Sequence, residues 1–342
     1  MAAGSQPGDE GTSPIGPVDG RVVPRFAGSA NFARLPGIGE VPAFDVAVLG
    51  VPFDAGTSYR PGARFGPLAV RQASRLVRGY HPDLDVQPFA AVQMVDAGDV
   101  PCTPFSITEA LGQIEDAARA LTGDGGALVA IGGDHTIALP LLRAAASRHG
   151  PVALVHFDAH LDTWDTYFGA PYTHGTPFRR AWEEELLRAD RCAHVGTRAP
   201  LYDPSDLTDD DRMRFFRYST MDVAEQGVRS IAASLRSRVG DAPVYVSIDI
   251  DVLDPAHAPG TGTPEPGGLS TRELRALLAG LDGVDVIGAD VVEVAPAYDH
   301  AEITSLAGAA VAYDSLALLA KSRVRRVARH LEGGPRRSER HR

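Results

Sequence analysis

Cysteine is almost absent: the chain has two, Cys102 and Cys192, and they form no close-spaced pair. That excludes a disulfide framework as the main support and fits a reducing compartment, so a cytoplasmic location is expected. The N-terminus lacks the apolar core of a signal peptide. No run approaches the roughly 18 apolar residues a membrane span needs, so no membrane partner is expected. An excess of basic residues is also lacking. The formal net charge is -11 at pH 7, which argues against a general nucleic-acid binder.

What is there is 342 residues, 44% hydrophobic and 23% charged, enough for a sizeable core. With no internal repeat or linker in the middle, residues 31–325 read as a single α/β domain. Residues 1–30 open with a stretch rich in Gly, Pro, Ser and acidic residues and read as a disordered tail. Residues 326–342 read as a basic C-terminal tail, a solvated helix end rather than a site for an anionic partner.

Ligand-type side chains gather where apolar runs stop. The run 152–155 leads into His156-Phe157-Asp158-Ala159-His160-Leu161-Asp162, with Asp158, His160 and Asp162 at alternate positions. In extended backbone alternate side chains point the same way, so two carboxylates and an imidazole converge. Like charges held together beside a hydrophobic strand are costly without a cation. The run 244–248 likewise ends in Asp249-Ile250-Asp251, and 127–131 ends in Gly132-Gly133-Asp134-His135. If these strands end side by side, six ligands meet: His135, Asp158, His160, Asp162, Asp249 and Asp251. That is too many for one tetrahedral zinc. Four aspartates balance two divalent ions, and mostly oxygen ligands favour manganese, with cobalt or nickel as alternatives. Two such ions generate hydroxide at neutral pH, so the expected chemistry is metal-assisted hydrolysis.

Strands are expected at 44–51, 91–95, 127–131, 152–157, 193–197, 215–218, 244–248 and 284–292. Helices are expected at 67–77, 106–121 with Ser106 as its cap, 136–147, 177–187, 228–239, around Leu274 to Leu281, and 303–319. Alternating strands and helices imply right-handed crossovers and a mostly parallel sheet, whose site lies beyond the carboxyl ends of the strands.

Taken together, GGDH at 132–135, DAHLD at 158–162, SIDIDVLDPAHAPGTGTPEPGG at 247–268 and DVVEVAPAYD at 290–299 resemble the ureohydrolases, the arginase and agmatinase family. The likeness covers roughly residues 40–320. It implies a three-layer αβα sandwich around an eight-stranded sheet, and hydrolysis of a guanidine to urea and an amine with two manganese ions. Matched by position, His135, Asp158, Asp162 and Asp249 would hold one ion, and His160, Asp158, Asp249 and Asp251 the other. Glu293 would face the substrate guanidinium, His174 would shuttle protons, and Asp162 would pass a proton to the leaving amine. EVAPAYD and THGTPFRRA look more like agmatinase than arginase, so agmatine to putrescine plus urea is the expected reaction. Guanidinobutyrate is the rival substrate, with guanidinopropionate or guanidine behind it. A trimer or hexamer is the assembly the family suggests.

Several residues carry a plainer reading beside this one. Asp254 reads as a turn residue and Asp134 as an orienting one. His156 and His257 read as packing or loop residues, where at 257 the family more often has Phe, and His194 as a satisfied core side chain. Arg60 and Arg64 sit in a Gly- and Pro-rich loop and serve its geometry, or one of them shapes the mouth of a pocket or an interface between subunits. Two other classes stand against a dinuclear ureohydrolase: a one-zinc deacetylase of related fold, and a silent homologue that would have lost a ligand or Glu293.

Overall fold

The computed structural model describes residues 13–332 apart from residue 124. Eight strands form one sheet: β1 (Val46–Val51), β2 (Met94–Asp99), β3 (Ala127–Gly132), β4 (Ala153–Phe157), β5 (Ala193–Thr197), β6 (Phe216–Ser219), β7 (Val244–Asp249) and β8 (Val286–Val292). Their order is β2-β1-β3-β8-β7-β4-β5-β6, and every neighbouring pair is parallel.

Alternation along the strands builds two cores. Val46 and Val48 pack on one face with helices Val228–Val239, Thr271–Ala279 and Ile303–Glu332. Ala47, Leu49 and Val51 pack on the other with helices Ile107–Thr122, Ala138–His149 and Pro177–Glu183. Strands covered on both sides are apolar at nearly every position, which is why they read as continuous runs rather than alternating ones. The arrangement is the three-layer αβα sandwich.

Some boundaries differ from expectation for local reasons. The strand expected from 91 starts at Met94, because Pro88–Ala91 makes a helical turn. The helix from Pro177 stops at Glu183 rather than 187, and Glu185 then takes a positive φ of 58°.

The tails differ more. Residues 1–12 and 333–342 lie outside the described residues, but 13–30, expected to be disordered, lie against the domain. Gln93 Nε2 donates to Ile15 O at 2.9 Å and Arg75 Nη1 to Arg25 O at 2.8 Å, so long polar side chains satisfy this segment's backbone. The last helix runs on to Glu332, because its basic residues have partners: Arg323 pairs with Asp45 at 2.9 Å and Arg326 with Asp285 at 2.7 Å. Contrary to expectation, its stretch Ile303–Arg329 is apolar and long enough to cross a membrane by length and composition, yet 83% of its most apolar window is buried within the protein.

Candidate metal centre and substrate pocket

Four strands that neighbour one another, β3, β8, β7 and β4, deliver ligand-type side chains at their carboxyl ends. After β3 the chain turns tightly: a Cβ on Gly133 would lie 2.0 Å from the carbonyl oxygen of Phe53. The Asp134 carboxylate then accepts from Gly56 N at 2.7 Å and Thr136 N at 3.0 Å, capping the next turn and presenting His135.

All six expected ligands meet there. His135 Nδ1 lies 3.2 Å from Asp158 Oδ2, 2.9 Å from Asp162 Oδ2 and 3.5 Å from Asp249 Oδ2. His160 Nδ1 lies 3.2 Å from Asp158 Oδ1 and 3.1 Å from Asp251 Oδ2. Donor atoms of His135, His156, Asp158 and Asp162 fall within 4.8 Å of one another, as do those of Asp158, His160 and Asp251. Asp158 is common to both groups, which is the geometry of two ions sharing a carboxylate.

The charges need compensation. Burial, then the charges of Asp251 and Asp158, pushes the Asp249 carboxyl well above its ordinary range. Burial and the Asp158 charge push Asp251 up to about 6, and the same two causes raise Asp162. Asp158 goes the other way: burial opposes it, but the imidazoles of His156, His135 and His160 hold it well below the usual range. Carboxylates that cannot all ionise together by themselves form a site that divalent cations stabilise.

The hydrogen-bond network sets His135 for that purpose. Ser247 Oγ donates to Asp290 Oδ1 at 2.7 Å, so at 2.9 Å it accepts from His135 Nε2–H. Nδ1 is buried and faces three carboxylate oxygens; burial opposes a charge there, but Asp158, Asp162 and Asp249 raise the imidazole well above its ordinary range. Anions that gather a positive charge at this point also favour a metal cation in the proton's place. The donor set therefore fits metal ions.

Glu293 lies beside this cluster. Its Oε1 accepts from His135 N at 3.0 Å and from His174 Nδ1–H at 2.9 Å, while Oε2 is buried without a partner. Glu293 and Asp162 both hold positive φ, 63° and 55°, where side chains other than Gly are strained; such strain concentrates at functional sites. His174 Nε2 meets Ser58 on its other side, at 2.7 Å from Oγ and 3.2 Å from N. Burial opposes its charge, but the Glu293, Asp162 and Asp134 carboxylates raise His174 to about 9.

Over the cluster opens a cavity of about 310 Å³ lined by Asp162, His174, Asp249 and, at its rim, Arg60, Trp164, Tyr202 and Glu265. Arg60 lies on this mouth and stacks over Tyr59 and Tyr298, at 5.4 Å and 5.3 Å from their ring centroids. Arg64 instead pairs with Asp54 in the loop. Asp254 accepts from Ala256, Gly267 and Gly268 N, as a turn residue does.

Sequence reasoning missed the supporting groups. His156 packs in the core within β4 rather than in a loop, and it does more than pack: its Nε2 is 2.8 Å from Asp158 Oδ2. Ser247 and Asp290 were not singled out at all. The available signal was the strand period, since His156 and Ser247 each stand two places before a ligand on the same face.

Buried carboxylates and imidazoles around a shared oxygen pair, at the carboxyl edge of a parallel α/β sheet, define a metal-dependent hydrolase. Residues 44–317 match the Arginase family, and the chain belongs to it. It is 44% identical over 310 residues to a guanidinopropionase of Pseudomonas aeruginosa, covering 90% of this chain and 97% of that one. A putative agmatinase of Schizosaccharomyces pombe is 44% identical over 331 residues, with 87% and 84% covered. Among solved structures, proclavaminate amidino hydrolase from Streptomyces clavuligerus superposes with a TM-score of 0.84 at 42% identity, covering 88% of this chain and all of the other.

Proposed function

We propose that this protein hydrolyses the guanidino group of a linear substrate to urea and an amine, with two manganese ions bound. Agmatine plus water giving putrescine plus urea is the expected reaction. The observation that carries the reading is the convergence of buried His135 Nδ1 on the oxygens of Asp158, Asp162 and Asp249. His135, Asp158, Asp162 and Asp249 would hold one ion, and His160, Asp158, Asp249 and Asp251 the other. When bound, such a pair supplies hydroxide at neutral pH and charge to stabilise a tetrahedral intermediate.

The chain's own residues do the rest. Glu293, with Oε2 buried and unpaired, binds the substrate guanidinium by charge-assisted hydrogen bonds and sets the carbon for attack. Asp162, 2.9 Å from His135 Nδ1 in the same cluster, would take the proton released on attack and pass it to the leaving amine. His174, between Glu293 and Ser58, exchanges protons with solvent: its neutral ring accepts from Ser58 N–H, and its imidazolium donates Nε2–H to Ser58 Oγ.

A guanidino acid is the second reading, favoured by Arg60 and by the guanidinopropionase relative. The rim carries one charge of each sign: Glu265 suits an ammonium end and Arg60 a carboxylate end. A urea-release assay with manganese across agmatine, arginine, guanidinobutyrate, guanidinopropionate and guanidine decides between them, and no urea from any substrate would overturn the reading. The family resemblance also suggests a trimer or hexamer, and the two unpaired cysteines favour a cytoplasmic location. Sedimentation of the purified chain checks the assembly.

A further inference from the structure

Beneath the ligands runs a row of polar side chains that crosses the sheet. Asp290 is the register partner of Ser247, Ser247 of His156, His156 of His194, and His194 of Arg217. The row thus spans β8, β7, β4, β5 and β6, on the face covered by Phe178, whose ring lies 4.3 Å from that of His156. Polar side chains in adjacent positions on five strands of a buried sheet are costly unless each is matched.

From Asp158 outward to Arg217 each is matched, and the links are continuous. His156 Nε2 lies 2.8 Å from Asp158 Oδ2, and His156 Nδ1 lies 2.7 Å from His194 Nδ1. His194 Nε2 lies 3.1 Å from Asp210 Oδ1, and Arg217 Nη1 donates to Asp210 Oδ2 at 2.5 Å. His156, His194, Asp158 and Asp210 are all buried, and Arg217 also reaches the exposed Asp211 at 2.7 Å.

Counting hydrogens fixes the direction of each link. His156 Nε2–H donates to Asp158, so its Nδ1 must accept, and His194 Nδ1–H is the donor. The third link, to Asp210, needs another hydrogen on His194 Nε2. Asp210 Oδ1 faces that nitrogen, and Arg217 holds Asp210. An apolar side chain at 194 would leave His156 Nδ1 without a partner and its ring free to choose another orientation.

We propose that His194, clamped by Asp210 and Arg217, is a positioning residue for the metal centre: through His156 it fixes the Asp158 carboxylate, one of the two that the two-ion reading shares between the ions. The proposal rests on the two-ion reading above. Partners of this kind hold a ligand's orientation, and their loss weakens metal binding about 10- to 100-fold.

The test is titration of the metal-free full-length chain with manganese, following free Mn2+ by electron paramagnetic resonance. The wild-type chain takes up two ions. His194→Phe keeps its circular dichroism spectrum but binds them about 10- to 100-fold more weakly, and added manganese restores turnover. His194→Gln, whose amide can still donate to His156 Nδ1, recovers part of that affinity. A merely structural role would lower the melting temperature and leave the affinity of the folded protein alone, so an unchanged affinity in folded His194→Phe overturns the proposal. Should that variant not fold, Arg217→Ala, which only unclamps Asp210 at the outer end, carries the test: a several-fold loss is expected and none overturns it. Fewer than two ions in the wild-type chain would instead remove the two-ion reading itself.

Discussion

The floor of the pocket and its rim are built by different rules. The floor is strand ends: Asp158, Asp249 and Glu293 are nearly inaccessible, and the groups beneath them are hydrogen-bonded into the sheet. The rim is loop: Tyr59 and Tyr202 are 69% and 76% exposed, and Trp164 stacks on Tyr167 with ring centroids 5.0 Å apart. A rigid floor positions reacting groups and a looser rim selects what reaches them, so one fold can keep its chemistry while changing substrate.

Changes to the floor should be severe. Asp249→Ala or His160→Ala should lower metal content and cut urea release by roughly a thousandfold or more. Metal analysis beside the assay checks this, and full activity in either variant would reject the ligand assignment. Glu293→Ala should cost about a hundredfold or more in kcat/KM while both ions stay bound. Loss of metal in that variant would move Glu293 among the ligands.

The pH dependence lies between floor and rim, at His174. Its folded pKa is raised from 6.5 to about 9 in the protein without ions. The stabilisation is therefore complete below about pH 6.5 and lost as pH rises through 9. Melting of the metal-free chain across that window should show the decline, and His174→Asn should reduce it, the remainder coming from His135 and His160, which, against burial, neighbouring carboxylates also raise.

The rim should respond least. Tyr202→Ala removes the hydroxyl that lies 2.8 Å from that of Tyr167. It should raise KM about 3- to 10-fold with kcat nearly unchanged, the scale of a lost aromatic contact. A large fall in kcat would mean that the rim also shapes the reacting geometry.

The same contrast accounts for what the sequence disclosed. Strand ends were legible because alternating Asp and His after an apolar run would repel one another in a buried place unless a cation joined them, and the tight turn at Gly133 marks where the chain must bend. The order of the strands was not legible, since nothing local says that β8 and β7 lie between β3 and β4. His194 is the satisfied core side chain expected, but its link to His156 and Asp158 was not legible, because only register sets the two histidines opposite one another. Arg60 and Tyr202 could not be assigned to the rim because loops far apart in the chain meet there. The backbone of 13–30 was misjudged because its partners, Gln93 and Arg75, are distant in sequence.

The central claim is that Asp158 and its neighbours gather two ions in one pocket. The most direct measurement is the number of manganese ions per folded chain after metal loading, read by elemental analysis. Two ions in the wild-type chain, with Asp158→Ala unable to hold the pair, is the predicted result; a single ion per chain, or two that survive that substitution, would contradict it.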